Sequence, residues 1–330
     1  MAEYLTNTAD LTAVADAIRA KGGTSAQLIY PSGFVSAIQA IQTGIKPKLV
    51  VTTTPGAAIT ATPAEGFKVV KGTAGADGMC TLELPKAGTW NVTAMANSVS
   101  NSQHIVIGTQ NMLLPLYHDT FANNTWEEII TVCRTGIAPD SWAVGDSKTM
   151  NIGGTAYQVD IIGKNHDEYA DGSGTAPLTF QLHDCYSEAK QMYSTNLSGL
   201  GWKNTDMRLT YLPAILALMP AEVQNGIHAV NKKTSEGGNS TTIETVSDTL
   251  FLLSEVEIFG TASSSVAGEG SQYDYYKAGN PKIKKREGVD EFWWERSSAS
   301  GGMFCRVRAN GQAGASNASN SLGVSFAFCF

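Results

Sequence analysis

EFWWERSSASGGMFCRVRANGQAGASNASNSLGVSFAFCF, residues 291–330, contains two kinds of position. Trp293, Trp294, Phe304, Val307, Val324, Phe326 and Phe328 are large and apolar at strand-like spacing, which describes a rigid frame. Between them lie Ser, Ala, Gly and Asn, with two arginines, Arg306 and Arg308. Alternation along Phe304-Cys305-Arg306-Val307-Arg308 sends Phe304 and Val307 inward, with allowance for a bulge, and Arg306 or Arg308 outward. The run Gln312 to Leu322 is small and polar and predicts a loop. With strands on both sides it is not a linker. It is either a solvated loop or a displayed binding surface, since binding residues concentrate on loops that a rigid scaffold positions.

This stretch closes a larger α+β segment, residues 112–330. Thr125-Trp126-Glu127-Glu128 is a capping-box start to a helix over Glu127–Arg134. Gly153-Gly154 separates two strand patterns in Met150–Gly163 and predicts a hairpin. Met207–Met219 reads as helix, and Pro220 opens a second helix predicted to run through Val230. Leu250-Phe251-Leu252-Leu253 is wholly apolar. Upstream, residues 45–111 alternate short β-rich runs, such as Thr81-Leu82-Glu83-Leu84 and Trp90-Asn91-Val92-Thr93, with Pro/Gly/Asp turns. Residues 1–44 hold two short helices. The first, capped by Thr8 or Asp10, carries Leu11, Val14, Ala15 and Ile18 on one face and ends at Gly22-Gly23. The second follows Pro31-Ser32 with Phe34, Ile38 and Ile41 on one face. Two such helices cannot bury enough surface alone and must dock on something else.

Composition narrows the function. The chain is 42% hydrophobic and only 16% charged, so Ser, Thr, Asn and Gly dominate its polar surface, as in many binding modules. A net charge of -7 argues against nucleic acid as partner. The one basic run, Lys282, Lys284, Lys285 and Arg286, is followed at once by Glu287, Asp290 and Glu291 and reads as a solvated loop. The start of the chain lacks the pattern of a signal peptide, and no apolar stretch approaches the ~18 residues of a membrane span, so no membrane insertion is expected. Cys80, Cys133, Cys185, Cys305 and Cys329 are widely spaced, which predicts buried reduced thiols and no zinc site.

The catalytic patterns HExxH, GxSxG, the P-loop and GxGxxG are missing, and the histidines are scattered. Neither enzyme activity nor a cofactor is expected. Asn165, Asp167 and Asp171 form the best metal candidate. Tyr169 occupies a ligand position and Gly172 comes late for a calcium loop, so a polar surface loop is expected there and no metal. Most of the aromatics, Trp202, Tyr273 and Trp293 among them, read as core. Tyr275 and Tyr276 are candidates for lining a site.

Resemblances to known families add to this. The stretch LTAVADAIRAKGGTSAQLIYPSGFVSAIQAIQTG resembles a short module at the head of tail and fibre proteins of phages infecting gut bacteria. Residues 45–111 are similar to small β-sandwich spacers, immunoglobulin-like or carboxypeptidase-regulatory-like. Trp142–Asp146, Ile161–Asp167, Leu178-Thr179-Phe180, Gly201-Trp202, Met207-Arg208, Ser247-Asp248, Leu252–Glu255, Glu269–Tyr273 and Trp293–Ser297 resemble a domain common in tail proteins of gut phages and prophages. The ending is similar to the C-type-lectin-fold variable proteins diversified by retroelements, the class that includes the phage major tropism determinant.

That resemblance implies a C-type-lectin-like domain over 112–330 with a variable region at about 295–325. In that class, adenine-directed mutagenesis randomises Asn codons. The ligand face it implies is Ala299, Ser300, Gly301, Gly302, Arg306, Arg308, Ala309, Gly314, Ala315, Ser316 and Leu322. Glu295, Met303 and Gln312 cannot arise that way if the third codon base stays a pyrimidine, so they fall outside the set. The implied protein is a virion tail adhesin made in the bacterial cytoplasm. It would bind a bacterial surface receptor, protein or glycan, and attach to other tail or baseplate proteins through residues 1–44. Related variable proteins are often trimers, so a homotrimer is expected. The alternatives are a formylglycine-generating-enzyme-like oxidoreductase using Cys305 and Cys329, and a purely structural tail component.

Overall fold

The computed structural model describes residues 8–22, 46–64, 68–85, 87–107, 110–197, 199–238 and 240–330. The second helix predicted around Phe34, Ile38 and Ile41 lies outside them. The chain divides into two compact units, Met1–Leu114 and Pro115–Phe330.

In the first unit, α1 spans Thr8–Gly22. Of its predicted apolar face, Ala15 and Ile18 are buried, whereas Val14 is 47% exposed. Seven strands follow: β1 Lys48–Thr52, β2 Ala58–Pro63, β3 Val70–Thr73, β4 Met79–Glu83, β5 Gly88–Ala96, β6 Val99–Ile107 and β7 Gln110–Leu113. They form a sheet of order β4-β1-β7 and a sheet of order β3-β2-β5-β6. Inward residues alternate on both: Leu49 and Val51 on β1, Cys80 and Leu82 on β4, Ile59 and Ala61 on β2, and Trp90, Val92 and Ala94 on β5. The sheets meet closely at Gly72 of β3, where an added Cβ would lie 2.5 Å from Cys80 Sγ and 2.7 Å from a Leu82 methyl.

The second unit is a mixed α+β domain. Helix α2, Trp126–Arg134, begins as its sequence predicts. Thr125 accepts from the Glu128 N–H at 3.2 Å, and the Glu128 carboxylate accepts from the Thr125 N–H at 2.8 Å. A short helix α3, Ala138–Ser141, leads to β8, Ser147–Ile152, and β9, Thr155–Lys164. Between these strands Gly153 and Gly154 have φ of 59° and 88°, the doubly left-handed turn that a tight hairpin requires. β10, Leu178–Leu182, pairs with β9 on one side and with the last strand of the chain, β18, Ala327–Cys329, on the other. The sheet order is β18-β10-β9-β8. Trp126 meets the rings of Phe180 and Phe330 edge-on at 6.1 and 6.0 Å, and Phe180 stacks on Phe328 at 5.2 Å, which ties α2 to the sheet.

A π-turn at Met207–Tyr211 enters α4, Leu212–Leu216, and α5 spans Ala221–Gly226. The helix after Pro220 therefore stops at Gly226, short of the predicted Val230, for two reasons. Gly226 packs so closely on α2 that a Cβ there would sit 2.4 Å from Ile130 Cδ1. Val230 is already the first residue of β11, Val230–Ser235, which pairs with β12, Ile243–Asp248. Helices α6, Glu255–Phe259, and α7, Asp274–Lys277, follow, then the hairpin β13, Lys284–Arg286, and β14, Val289–Glu291.

That hairpin corrects the reading of the basic run. Lys284 is buried and donates to the carbonyls of Leu182 and His183 at 2.5 and 2.8 Å. Burial pushes its ammonium down to about 8.

Candidate ligand-binding face

The last sheet has the order β15-β16-β17, with β15 at Trp293–Ser298, β16 at Met303–Val307 and β17 at Ala313–Asn317. The frame residues Trp293, Trp294, Phe304, Val307, Val324, Phe326 and Phe328 are all 0% exposed. The indole N–H groups of Trp293 and Trp294 donate to the carbonyls of Lys282 and Lys190 at 2.9 and 2.8 Å, so burying those rings leaves no unpaired donor.

Two expectations change here. The predicted loop after Gln312 is a strand over Ala313–Asn317, in unbroken antiparallel register from Met303↔Asn317 to Val307↔Ala313. Ala, Gly, Ser and Asn have weak strand preference, so the ladder supplied by β16 makes this a strand. The predicted bulge is also displaced: it falls between Trp294 and Ser298 of the β15–β16 pair. Phe304 and Val307 are then both buried because both faces of β16 are covered. Phe304 points to the face of Arg306, and Cys305 and Val307 to the other.

The predicted ligand residues do not form one patch. Ser300 and Gly301 are exposed at the β15–β16 turn, beside half-buried Gly302. Arg308 is exposed, and Arg306 and Ala309 half-buried, at the opposite end of the sheet, about 16 Å away at ~3.3 Å per strand residue. Ala315 and Leu322 are half-buried.

Ala299, Gly314, Ser316, Tyr275 and Tyr276 are buried, so an exposed role for them is corrected. Ala299 donates its N–H to Met303 O at 2.8 Å within the turn. Tyr276 sits at 2% exposure with its hydroxyl on Gln181 Oε1 at 2.6 Å, and Tyr275 packs edge-on against it at 5.1 Å. Gly302 has φ of 75°, and a Cβ there would lie 2.4 Å from Asn196 O. Only glycine fits that position.

Under this sheet lies a buried charge network that the sequence reading missed. Arg296 of β15 is 0% exposed. It forms a bidentate pair with Glu257, through Nη1 and through Nη2 at 2.8 Å, and donates to the carbonyls of Leu252, Glu269 and Lys233. Lys232, 2% exposed, lies 2.6 Å from Asp167, 2.7 Å from Glu257 and 3.0 Å from the Tyr273 hydroxyl, with its ammonium over the Phe251 ring. Two cations thus face two carboxylates. Burial pushes Asp167 up, but Lys232, His166 and the Thr179 hydroxyl outweigh it and hold the carboxyl down at about 2. Asp167 is therefore not in the polar surface loop expected of it: it is buried and paired with Lys232. Among the described residues no group of three or more His, Cys, Asp or Glu could hold a metal ion.

Three more carboxylates lie beside this balanced set. Burial raises Glu255, yet hydrogen bonds from Ser263 and Ser265 and from the 264 and 265 N–H groups win and hold it ionised. Glu269 accepts from the Ser235 N–H at 2.8 Å. Glu295 is 0% exposed, and neither carboxyl oxygen has a hydrogen-bond partner among the described residues. Burial first, then the charges of Glu255 and Glu269, push its carboxyl far above the ordinary range. Both effects favour the protonated form of Glu295 over the ionised one.

None of this arranges a nucleophile. Ser147 and His183 both bond Asp160, at 2.6 and 2.7 Å, so the carboxylate stands between hydroxyl and imidazole and the base cannot take the serine proton. All five thiols are free and buried, and burial raises every one; Cys185 reaches about 12. Iodoacetamide is expected to label Cys133, Cys185, Cys305 and Cys329 slowly in the native protein and fast in urea, read by mass spectrometry. Rapid native labelling of both Cys305 and Cys329 would revive the oxidoreductase reading. A separate cleft of about 370 Å³, lined by Ile130, Cys133, Tyr169, Pro177, His228 and Phe330 among others, contains none of the predicted ligand residues.

The fold and site thus describe an α+β domain that holds small residues and two arginines at the ends of a sheet on a rigid, charge-stapled core. Residues 179–330 match the family model described as a domain of unknown function, DUF6273. No curated protein matches the chain. No helix among the described residues is long and apolar enough to cross a membrane.

Proposed function

We propose that the protein is a phage or prophage tail adhesin. Its second unit, a C-type-lectin-like head, would bind a bacterial surface receptor through the loops and strand ends of β15–β17. The first unit would act as an immunoglobulin-like spacer carrying the attachment segment 1–44, in a virion-borne homotrimer whose avidity raises modest single-site affinity. The observation that carries this reading is the division of residues 291–330. Every large side chain of the frame is buried, while Ser300, Gly301 and Arg308 stand exposed on short turns. Such a scaffold tolerates exchange of what it displays. The raised thiols of Cys305 and Cys329 give the oxidoreductase alternative no support.

Fluorescently labelled full-length protein should be retained by at least one strain in a panel of gut bacteria, measured by flow cytometry. The double variant Ser300→Trp/Arg308→Glu should lose roughly tenfold or more of that retention, the scale of a lost charged contact plus a steric block. Retention unaffected by the variant, or no retention by any strain, refutes an adhesin acting through this face.

A further inference from the structure

The β16–β17 hairpin brings two guanidinium groups together without an acid to neutralise them. Arg306 and Arg308 are two residues apart and share a face, and Arg306 stands opposite Gly314 in the ladder. A Cβ on Gly314 would lie 2.8 Å from Arg308 Nε and 3.5 Å from its Cζ. The Arg308 side chain therefore crosses the hairpin through the space that this glycine leaves. Arg306 is held in place beside it: its Nε donates to Ala315 O at 3.1 Å, and its Cζ lies 4.2 Å from the centroid of the Phe292 ring.

Neither arginine enters an ion pair among the described residues. The carboxylate of Glu291, next to Phe292, is taken by Arg286 at 2.8 Å. Burial and the charge of Arg308 both depress the Arg306 guanidinium, as expected for like charges in close company. Both Nη groups of Arg306, and the whole Arg308 fork, have no hydrogen-bond acceptor among the described residues.

We propose that Arg306 and Arg308 form a clamp for a compact oxyanion, either the carboxylate of an acidic sugar or the phosphate of a phosphorylated surface polymer. Two adjacent planar forks match the oxygen pairs of either group, and one anion relieves the repulsion between them. Gly314 is the positioning residue, because any side chain there displaces Arg308. The inference deepens the adhesin reading and rests on it for the bacterial origin of the ligand.

The test is an NMR titration of the arginine Nε–Hε signals of the full-length protein, with inorganic phosphate and galacturonate as separate probes. At least one probe should shift both arginine signals. Arg308→Gln should weaken binding roughly tenfold, and Gly314→Ala should weaken it with the charge unchanged. Arg134→Gln, on the surface of α2, should leave it intact, and circular dichroism melts verify that each variant is folded. A response to phosphate alone assigns a phosphorylated polymer, and to galacturonate alone an acidic sugar. No shift with either probe, or equal binding by folded Arg306→Gln/Arg308→Gln, overturns the clamp. Anion binding without retention on any bacterium sinks the adhesin reading and leaves the clamp standing. Full retention of folded Arg306→Gln/Arg308→Gln on cells that Ser300→Trp/Arg308→Glu no longer binds overturns the clamp as receptor contact and leaves the adhesin reading standing.

Discussion

Arg296→Ala is expected to destabilise the second unit by about 3–5 kcal/mol, the cost of removing one partner from a buried ion pair. Urea denaturation followed by tryptophan fluorescence reads this directly. The guanidinium is fully buried and satisfies Glu257 twice together with three backbone carbonyls from three separate segments. Truncation leaves Glu257 with Lys232 as its only cation and leaves those carbonyls without their donor. Against a typical domain stability of ~5–15 kcal/mol, that loss is enough to unfold a marginal domain. Arg296→Lys should recover only part of it, because a point charge cannot reproduce the two-oxygen fork. A loss below about 1 kcal/mol for the alanine variant would show that the network does not staple the core.

Glu295→Gln should stabilise the protein, and increasingly so as pH rises. The folded carboxyl keeps its proton well above the ordinary value of 4.5, whereas the unfolded chain releases it near that value. Between those limits the unfolded state binds fewer protons, so wild-type stability is full below the unfolded pKa and is lost as pH rises toward the folded one. For one proton the slope reaches about 1.4 kcal/mol per pH unit. The amide carries no such proton, so the difference between variant and wild type should grow as pH rises above the unfolded carboxyl's ordinary value. Comparing the two proteins cancels the groups remote from Glu295. His183 is raised by its bond to Asp160, and so loses stability over part of the same range, but it contributes equally to both. Parallel stability–pH curves for the two proteins would show that Glu295 is already ionised in the fold.

The two predictions concern neighbours in sequence, Glu295 and Arg296, on one strand whose residues are all buried. A surface position is the ordinary one for either residue type. Their burial depends on Glu257, Glu269, Lys232 and Asp167, which come from separate elements. A similar dependence explains the error at Asp167. Its local string, with Asn165 and Asp171, has the composition of a surface loop, whereas Lys232 and Tyr273, remote in sequence, draw it inside.

The candidate ligand face was legible in part. The division into frame and displayed residues could be read because side-chain size and strand spacing are local properties. Which displayed residues share a patch could not. A hairpin places Ser300 and Arg308 at opposite ends, and Gly314 acquires its meaning only from the side chain that crosses it.

By itself the sequence determined the features whose partners lie within a few residues: the Thr125–Glu128 capping box, the Gly153-Gly154 hairpin and the apolar frame of the final strands. It also determined the α+β class, through the alternation of those periods. Tertiary structure alone decided that Ala313–Asn317 is a strand, that Lys284, Glu295 and Arg296 are buried, and that Arg306 and Arg308 converge. The physical reason is common to these cases. A weak strand former or a buried charge is tolerated only where a ladder or counter-ion arrives from elsewhere in the chain, and local pattern carries no record of that arrival.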